Sequence, residues 1–244
     1  MPEGPSIVIL REQAAEFIGK TIKDVAGNSR LDLERMRGQR VRDLRSWGKH
    51  FLVCFDGFTM RVHFMLFGSY RINERREAAP RLSLQFAKGE LNFYACSLKY
   101  IEGDLDAVYD WSADVMAPEW NPRAAHRKLR EKPKELVCDV LLDQDVFAGC
   151  GNIIKNEVLH RIRVHPESTV GALTPRKRGE LVKQARDYSF DFYEWKKEYV
   201  LRKHWQVHAK THCPRDGARL EYRAKLGRRQ RRAFWCGLCQ RLYR

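Results

Sequence analysis

Long apolar runs are missing from this sequence of 244 residues. No stretch approaches the ~18 consecutive apolar residues that a membrane-spanning helix needs, which argues against a membrane span. A basic-then-apolar leader is also missing ahead of the first apolar-periodic segment, so no secretory signal is indicated. We therefore expect a soluble, unexported protein without a membrane partner, built as one large domain or two small ones.

Acidic residues are scarce at the C-terminal end. From Leu201 to Arg244, 13 Lys or Arg residues stand against only Asp216 and Glu221, so this segment carries +11 of the chain's net charge of +15. A surface of this kind binds polyanions. Nucleic acid is favoured because aromatic residues and a metal-type knuckle accompany the charge. An anionic membrane is the lesser alternative, since no amphipathic basic helix is evident there.

The cysteines are too few and too scattered for a disulfide framework. There are seven, an odd number, and four of them stand alone in apolar surroundings. The other three, Cys213, Cys236 and Cys239, gather near the C-terminus. This pattern favours buried thiols and a metal site in a reducing cytoplasm.

The start of the chain combines an amine with an acid. Methionine ahead of proline is normally removed, so the mature chain should begin at Pro2, whose secondary amine would lie beside Glu3. Pro5 suits the first turn of a helix, and the apolar-periodic residues 7–18 follow it. A helix N-terminus disfavours a protonated amine and favours an ionised carboxylate. Taken alone, these residues favour the alternative of an ordinary lead-in to a helix.

Residues from about 21 to 103 alternate between apolar and polar types with closely spaced turns, which predicts an antiparallel sandwich or barrel. The predicted strands are Thr21–Val25, Arg40–Leu44, His50–Phe55, Thr59–Phe64, Ser69–Asn73, Leu82–Phe86 and Leu91–Ile101.

Two loops of this region carry candidate contact residues. Lys49 follows a glycine in a tight loop and would project from a strand edge, although loop lysines are commonly just solvated. Met65, Leu66 and Phe67 belong to a run of four large apolar residues before Gly68, of which alternation would bury two and expose two. Exposed apolar residues at a loop tip of a basic protein are candidates for wedging between bases, with core packing as the alternative.

From about residue 118 the pattern becomes helical, with helices predicted at Arg123–Glu131, Lys134–Asp143, Ile153–Arg163 and Pro175–Leu201. Two glycines and Asn152 separate the second helix from the third. The unpaired N–H groups of the following helix would make an anion site for a DNA phosphate. A plain interhelical turn is the alternative.

The terminal segment holds Cys236 and Cys239 at zinc-knuckle spacing, after a predicted basic hairpin over residues 219–233. Its first half contains Cys213 but lacks a second cysteine, and Asp216 stands where that cysteine would be. Zinc accepts carboxylate oxygen, so Asp216 is the expected fourth ligand of one structural Zn²⁺ site, with His212 as the second choice. A hairpin that binds no zinc is the alternative prediction.

Taken together and in this order, these features resemble the formamidopyrimidine-DNA glycosylase and endonuclease VIII family of base-excision repair enzymes, over essentially the whole chain. The resemblance implies an α+β fold. An N-terminal helix and an antiparallel β-sandwich would occupy residues 1–117, a helix-two-turn-helix DNA-binding domain 118–204, and a zinc-finger-like β-hairpin 205–244.

The same resemblance implies roles for individual residues. Pro2 would be the nucleophile, Glu3 the general acid, and Lys49 a catalytic-site contact to the DNA backbone beside the lesion. The implied DNA contacts are Asn152 on a phosphate, Arg231 on the lesion's phosphates with Arg232 close enough to share that role, and Met65, Leu66 and Phe67 in the void left by the flipped base.

Three departures from the family pattern qualify this interpretation. Ser6 stands where the family usually has an acidic residue, and Asp216 replaces a zinc cysteine. The glycine-rich lesion-capping loop of the 8-oxoguanine branch has no counterpart between Pro175 and Cys213. This absence favours the endonuclease VIII branch and oxidised pyrimidines.

The expected function is therefore that of a bifunctional DNA glycosylase and abasic-site lyase that nicks by β,δ-elimination. We expect it to act as a monomer on damaged, double-stranded DNA in a bacterial-type cytoplasm, associated with the nucleoid when bound. A non-catalytic nucleic-acid-binding protein that uses the basic zinc hairpin is the alternative. A nuclease that uses the finger zinc is disfavoured, because four protein ligands leave no open metal position.

Overall fold

The computed structural model describes residues 2–244. The chain divides into two compact units, Met1–Tyr109 and Asp110–Arg244. This boundary lies before the predicted one at residue 117, and the further division at residue 204 stays a prediction. Among the described residues, no helix combines the length and apolar character that crossing a bilayer requires.

The first unit opens with helix α1 (Gly4–Gln13), which has a proline in its first turn as predicted. The helix ends before the predicted Ile18 because a 3₁₀ turn at Ala15–Phe17 tightens the chain. Gly19 then adopts φ +81°, a left-handed conformation that suits glycine and ends the segment. Ile7 and Leu10 of α1 are buried against the sheet that follows.

Six strands form one antiparallel sheet within the described residues, in the order β1-β5-β6-β4-β3-β2. Their bounds are β1 Ile22–Ala26, β2 Asp43–Trp47, β3 His50–Cys54, β4 Phe58–Ile72, β5 Leu82–Phe86 and β6 Glu90–Glu102. The antiparallel arrangement beside a helix is confirmed. All six strands belong to a single hydrogen-bonded sheet around one core.

Two strand predictions need correction. The strand predicted at Arg40–Leu44 begins only at Asp43, because Arg40 instead forms an isolated bridge with Thr21. The two strands predicted at 59–64 and 69–73 are one strand, β4. Its pairing with β6 is interrupted between Phe64 and Ser69 and then resumes in the same direction.

Aromatic side chains fill the core of this unit. Phe51, Phe64 and Phe93 are at most 1% exposed, and the ring centroid of Phe93 lies 5.7 Å from that of Phe51 and 6.3 Å from that of Phe64. Burying each such side chain contributes roughly 1.5–3 kcal/mol. The core therefore anchors strand β4 at Phe64, where its irregularity begins.

The second unit is helical, followed by a hairpin. Its elements are α2 Pro122–Arg130, α3 Val137–Val140, α4 Gln144–Phe147, α5 Asn152–Arg161, α6 Pro175–Lys197, β7 Glu221–Leu226 and β8 Arg231–Trp235. Asn121 caps α2 by accepting hydrogen bonds from the backbone N–H of Arg123 at 3.0 Å and of Ala124 at 3.1 Å. Asn121, the residue immediately before α2, is therefore its N-cap.

Two helix predictions in this unit are wrong in extent. The helix predicted at 134–143 is reduced to α3, because the Asp143 side chain accepts from Asp145 N at 3.2 Å and starts α4 instead. Helix α6 ends before the predicted Leu201, since Tyr199 takes a left-handed φ of +60°.

The hairpin β7–β8 is packed onto the helices of the same unit. Leu226, Ala233 and Trp235 belong to the core cluster that also contains Ile154 and Val158 of α5. The predicted hairpin is therefore confirmed, and it is seated on a helix that begins at Asn152.

Candidate nucleic-acid site

The predicted nucleophile and acid lie side by side at the head of α1. Glu3 is only 3% exposed and precedes the first helical residue, and its carbonyl oxygen accepts from Ser6 N at 2.8 Å. Pro2 is half-buried. Ser6 is buried in the first turn, so a hydroxyl lies there instead of a second carboxylate.

Lys49 lies in the two-residue turn between β2 and β3, next to Gly48, whose φ is +54°. The flanking Trp47 packs against Tyr109 with ring centroids 4.8 Å apart, and His50 Nδ1 lies 3.1 Å from the Tyr109 hydroxyl. These aromatic contacts support the turn from both ends. Lys49 therefore lies in a turn whose two flanking residues both contact Tyr109, and its projection towards DNA stays a prediction.

His50 is neutral in this arrangement. Burial, and then the positive charges of His63, Arg61 and Lys49, lower the pKa of His50 from 6.5 to about 3. A neutral imidazole can share one hydrogen bond with the Tyr109 hydroxyl without adding a further charge beside Lys49.

Met65, Leu66 and Phe67 protrude from the irregularity in β4. Their exposed fractions are 54%, 52% and 84%. Alternation was expected to expose two of the four apolar residues in this run; the bulge exposes three, and only Phe64 is buried. Gly68 is required here, because a Cβ would lie 2.7 Å from Phe64 Cβ and 2.8 Å from the Ala95 carbonyl oxygen.

The glycine turn before α5 is held by Gln144. Its Oε1 accepts from Gly149 N at 3.1 Å, its Nε2 donates to the Cys150 carbonyl at 3.2 Å, and Gly149 has φ +98°. Asn152 is the first residue of α5. Its Oδ1 is buried without a hydrogen-bond partner in the part of the chain that the structure describes. The unsatisfied atom is an acceptor and therefore suits a hydrogen-bond donor, whereas a phosphate would have to be contacted through Nδ2 of the same amide.

Four C-terminal residues could hold one metal ion. The ligand atoms of Cys213, Asp216, Cys236 and Cys239 all lie within 4.8 Å of one another. His212 is not part of this cluster; its Nδ1 lies 3.0 Å from Thr211 Oγ1. Of the two alternatives for the fourth ligand, the geometry therefore favours Asp216.

Arg231 and Arg232 are the first two residues of β8. Arg232 is exposed and Arg231 half-buried, and among residues 2–244 neither guanidinium forms an ion pair with a carboxylate. Both charges thus remain available at the closed end of the hairpin.

Comparison with known proteins identifies the family. A family model described as the formamidopyrimidine-DNA glycosylase N-terminal domain matches residues 1–97, and the H2TH domain of the same enzymes matches residues 112–188. Endonuclease 8-like 2 of Bos taurus is 34% identical over 235 residues, which cover 83% of this chain and 70% of that protein. The chain belongs to the formamidopyrimidine-DNA glycosylase and endonuclease VIII family.

Other relatives in this family differ in length. Endonuclease 8-like 3 of Xenopus laevis is 29% identical over 91% of this chain but only 38% of that protein, so the chain spans well under half of it. The DNA-(apurinic or apyrimidinic site) lyase Nei2 of Mycolicibacterium smegmatis is 26% identical, over 98% of this chain and 99% of that protein.

The fold of this glycosylase-family chain also matches solved structures. The Lactococcus lactis formamidopyrimidine-DNA glycosylase, solved in a non-covalent complex with DNA containing an abasic site, superposes with a TM-score of 0.85. It is 22% identical, and the match covers 98% of this chain and 99% of that one. The fold expected from the resemblance is therefore confirmed.

The family sequence pattern did not reveal one basic surface of the second unit. Arg123, Arg127 and Arg130 of α2 meet Arg178 of α6 around a depression of about 600 Å³ that His126 also lines. Burial, and then the charges of Arg130 and Arg178, lower the pKa of His126. The spacing of 123, 127 and 130 on one helical face is the only sequence signal for this cluster.

Proposed function

We propose that the chain is a bifunctional DNA glycosylase and abasic-site lyase that removes oxidised bases, with pyrimidines favoured. The observation that carries this proposal is the adjacency of Pro2 and the buried Glu3 at the head of α1. The names of its relatives support it, since the Mycolicibacterium protein is called an abasic-site lyase and the Lactococcus enzyme was solved on DNA containing an abasic site.

The chemistry explains why proline should be the first residue of the mature chain. Once Met1 is removed, the neutral secondary amine of Pro2 attacks C1′ of the damaged nucleotide, the bond to the base breaks, and the amine gives up its N–H proton. The sugar ring then opens at the C1′–O4′ bond, and the nitrogen lone pair forms a C1′=N double bond. Glu3 protonates the sugar oxygen O4′ or the leaving base as these bonds break. The resulting iminium has no N–H proton to lose and stays positively charged. It withdraws electrons from C2′, whose proton is then removed as the 3′ phosphate leaves. A second elimination releases the 5′ phosphate.

The reaction requires the nucleotide to leave the duplex, which costs a few kcal/mol and less at a damaged pair. Met65, Leu66 and Phe67 have the exposure needed to fill the gap between the bases. Lys49, Asn152 and Arg231 would contact phosphates, with Arg232 beside Arg231. We further propose double-stranded DNA as the substrate, a monomeric enzyme and a cytoplasmic location.

Zinc is the proposed metal of the C-terminal cluster. In a tetrahedral site two sulfurs lie about 3.8 Å apart, and a sulfur and an oxygen about 3.5 Å, because Zn–S bonds are about 2.3 Å long. Cys213 Sγ and Cys239 Sγ are 3.8 Å apart, and Cys236 Sγ lies 3.3 Å from Asp216 Oδ2. The residues therefore fit a structural zinc ion, which would cross-link the knuckle and supply no catalytic step.

Borohydride trapping tests the proposed function. Reduction of the iminium should yield a covalent complex with duplexes that carry an abasic site or an oxidised pyrimidine, and Pro2→Gly should abolish most of it. Pro5→Ala, in the same helical turn, is the matched control and should still be trapped. Wild-type protein that binds these duplexes tightly but is never trapped would instead be the non-catalytic nucleic-acid-binding protein.

A further inference from the structure

The turn of the C-terminal hairpin is held by a buried carboxylate from the helices. Asp139 of α3 is 5% exposed. Its Oδ2 accepts the backbone N–H of Arg228 at 2.8 Å, and its Oδ1 accepts that of Arg229 at 2.9 Å. Hydrogen bonds from backbone N–H groups to an ionised carboxylate are among the stronger ones in proteins. Both oxygens of one side chain thus bind two successive residues of the turn between β7 and β8.

The turn is shaped to receive this carboxylate. Gly227 has φ +67°, and a Cβ at that position would lie 2.5 Å from each Asp139 oxygen. Any other residue there would collide with the carboxylate and would also be strained. Arg231 begins β8 two residues after Arg229. The position of the turn therefore determines the position of the Arg231 backbone, from which its guanidinium extends.

Buried side chains of α5 hold the strand that follows and the segment before the hairpin. Lys155 is 1% exposed, and its Nζ donates to the Arg232 carbonyl at 2.8 Å. Glu157 is fully buried and accepts the backbone N–H groups of residues 206–208 at 2.9, 3.0 and 2.7 Å. The four possible metal ligands lie at the opposite, open end of the hairpin, where Cys236 follows β8.

More exposed ion pairs surround the turn but hold it less firmly. Arg228 pairs with Glu135 at 3.2 Å and Arg229 with Asp143 at 3.5 Å, and both arginine side chains are at least 41% exposed. Solvent screens such pairs, and they restrain side chains rather than the backbone. Asp139 is therefore the residue through which the helices fix the backbone of the turn.

We propose that Asp139 is a positioning residue that holds the hairpin turn, and with it Arg231, in the DNA-binding conformation independently of the metal cluster. This inference rests on the proposed role of Arg231 as a phosphate contact. Asp139→Ala removes both acceptors. Asp139→Asn keeps the shape but loses the charge and one acceptor. Glu135→Gln, which breaks only an exposed ion pair, is the matched control.

The test combines amide hydrogen exchange with DNA affinity. In Asp139→Ala, exchange at Arg228 and Arg229 should accelerate at least about tenfold, and affinity for a duplex with an abasic-site analogue should fall about tenfold, with the bound metal retained. Asp139→Asn should give a smaller change in the same direction, and Glu135→Gln almost none. Unchanged exchange and affinity in both Asp139 variants would overturn the proposal. If Asp139→Ala does not fold, Asp139→Asn carries the test.

A double-mutant cycle separates positioning from general damage. In an Arg231→Ala background, Asp139→Ala should lower DNA affinity by less than about twofold further, because the two changes act through one contact. Fully additive losses would show that Asp139 does not act through Arg231. If Arg231→Ala alone leaves affinity unchanged, the proposed DNA contact fails, while the exchange rates still test the anchor. Chelation of the metal should leave the backbone N–H groups of Arg228 and Arg229 protected from hydrogen exchange. Faster exchange at these groups after chelation would show that the turn depends on the metal cluster.

Discussion

Cys236 Sγ lies 3.3 Å from Asp216 Oδ2, so a carboxylate takes the place of a fourth sulfur in the C-terminal cluster. The same Asp216 side chain accepts the backbone N–H of Ala218 at 3.0 Å through Oδ1, which lowers the pKa of this carboxyl. Asp216 is thus oriented by its own loop to present an ionised oxygen to the three thiols.

Asp216→Cys should slow the loss of zinc to a chelator. Oxygen is a harder donor than sulfur and zinc is borderline-soft, so four thiolates should hold the ion more tightly than three thiolates and a carboxylate. The measurement is the rate of zinc release in the presence of a chromogenic chelator. His212→Ala is the control and should leave the rate unchanged. Zinc loss from His212→Ala together with zinc retention in Asp216→Ala would show that His212, and not Asp216, is the fourth ligand.

Glu3→Gln should separate the two halves of the proposed reaction. Base removal must expel a leaving group and requires a proton donor, whereas a ready-made abasic site has already lost its base. We expect excision of an oxidised pyrimidine to fall by about 10²–10⁴-fold and cleavage at an abasic site to fall much less. Single-turnover rates on matched duplexes measure both. Equal losses on the two substrates would remove Glu3 from the base-expulsion step.

Phe67→Ala should impair function while sparing stability. Phe67 is 84% exposed, so its removal should change the free energy of unfolding by less than about 0.5 kcal/mol. Excision from a duplex should fall, because the gap beside the flipped nucleotide is filled less well, and excision from a single strand should change little. Phe64→Ala is the contrasting variant: it is 1% exposed and should cost about 3–5 kcal/mol of stability. Unchanged duplex activity in Phe67→Ala would argue against wedging.

Arginine variants should alter the salt dependence of DNA binding. Each phosphate contact that is lost should reduce the slope of log affinity against log salt by about 0.9, so Arg231→Ala should flatten it by roughly that amount.

The double variant Arg127→Gln/Arg130→Gln tests whether the arginine-lined depression also contacts DNA. Arg202→Gln/Lys203→Gln removes the same charge elsewhere in that unit and serves as the control. Equal flattening by both double variants would indicate a general effect of charge.

Acidification should destabilise the first unit through His50. The folded-state pKa of His50 is lowered to about 3, below its ordinary value of 6.5, so between these values the unfolded chain binds the extra proton. Stability is therefore fully present above pH 6.5 and falls as the pH drops towards 3, by up to about 1.4 kcal/mol per pH unit. Denaturant unfolding of the wild type and His50→Phe between pH 7 and 4 measures this. If His50→Phe loses as much stability on acidification as the wild type, the pH dependence arises from other titrating groups.

The sequence by itself determined the features that depend on near neighbours in the chain. Pro2 and Glu3 are adjacent by covalent linkage, and Asn121 reaches the N–H groups of the next helix within three residues. The hairpin and its Cys236 and Cys239 pair follow from spacing alone. These patterns, in their order along the chain, were sufficient to identify the family and the kind of fold.

Tertiary structure decided the features that join distant parts of the chain. The exposure of Met65, Leu66 and Phe67 depends on the pairing of β4 with β6, which breaks after Phe64 and which no alternation rule predicts. The bond between Asp139 and Arg228 spans 89 residues, and the basic depression forms only where α2 meets α6. Such contacts depend on how whole elements pack, because local propensity acts over a few residues and carries no information on which element will become the neighbour.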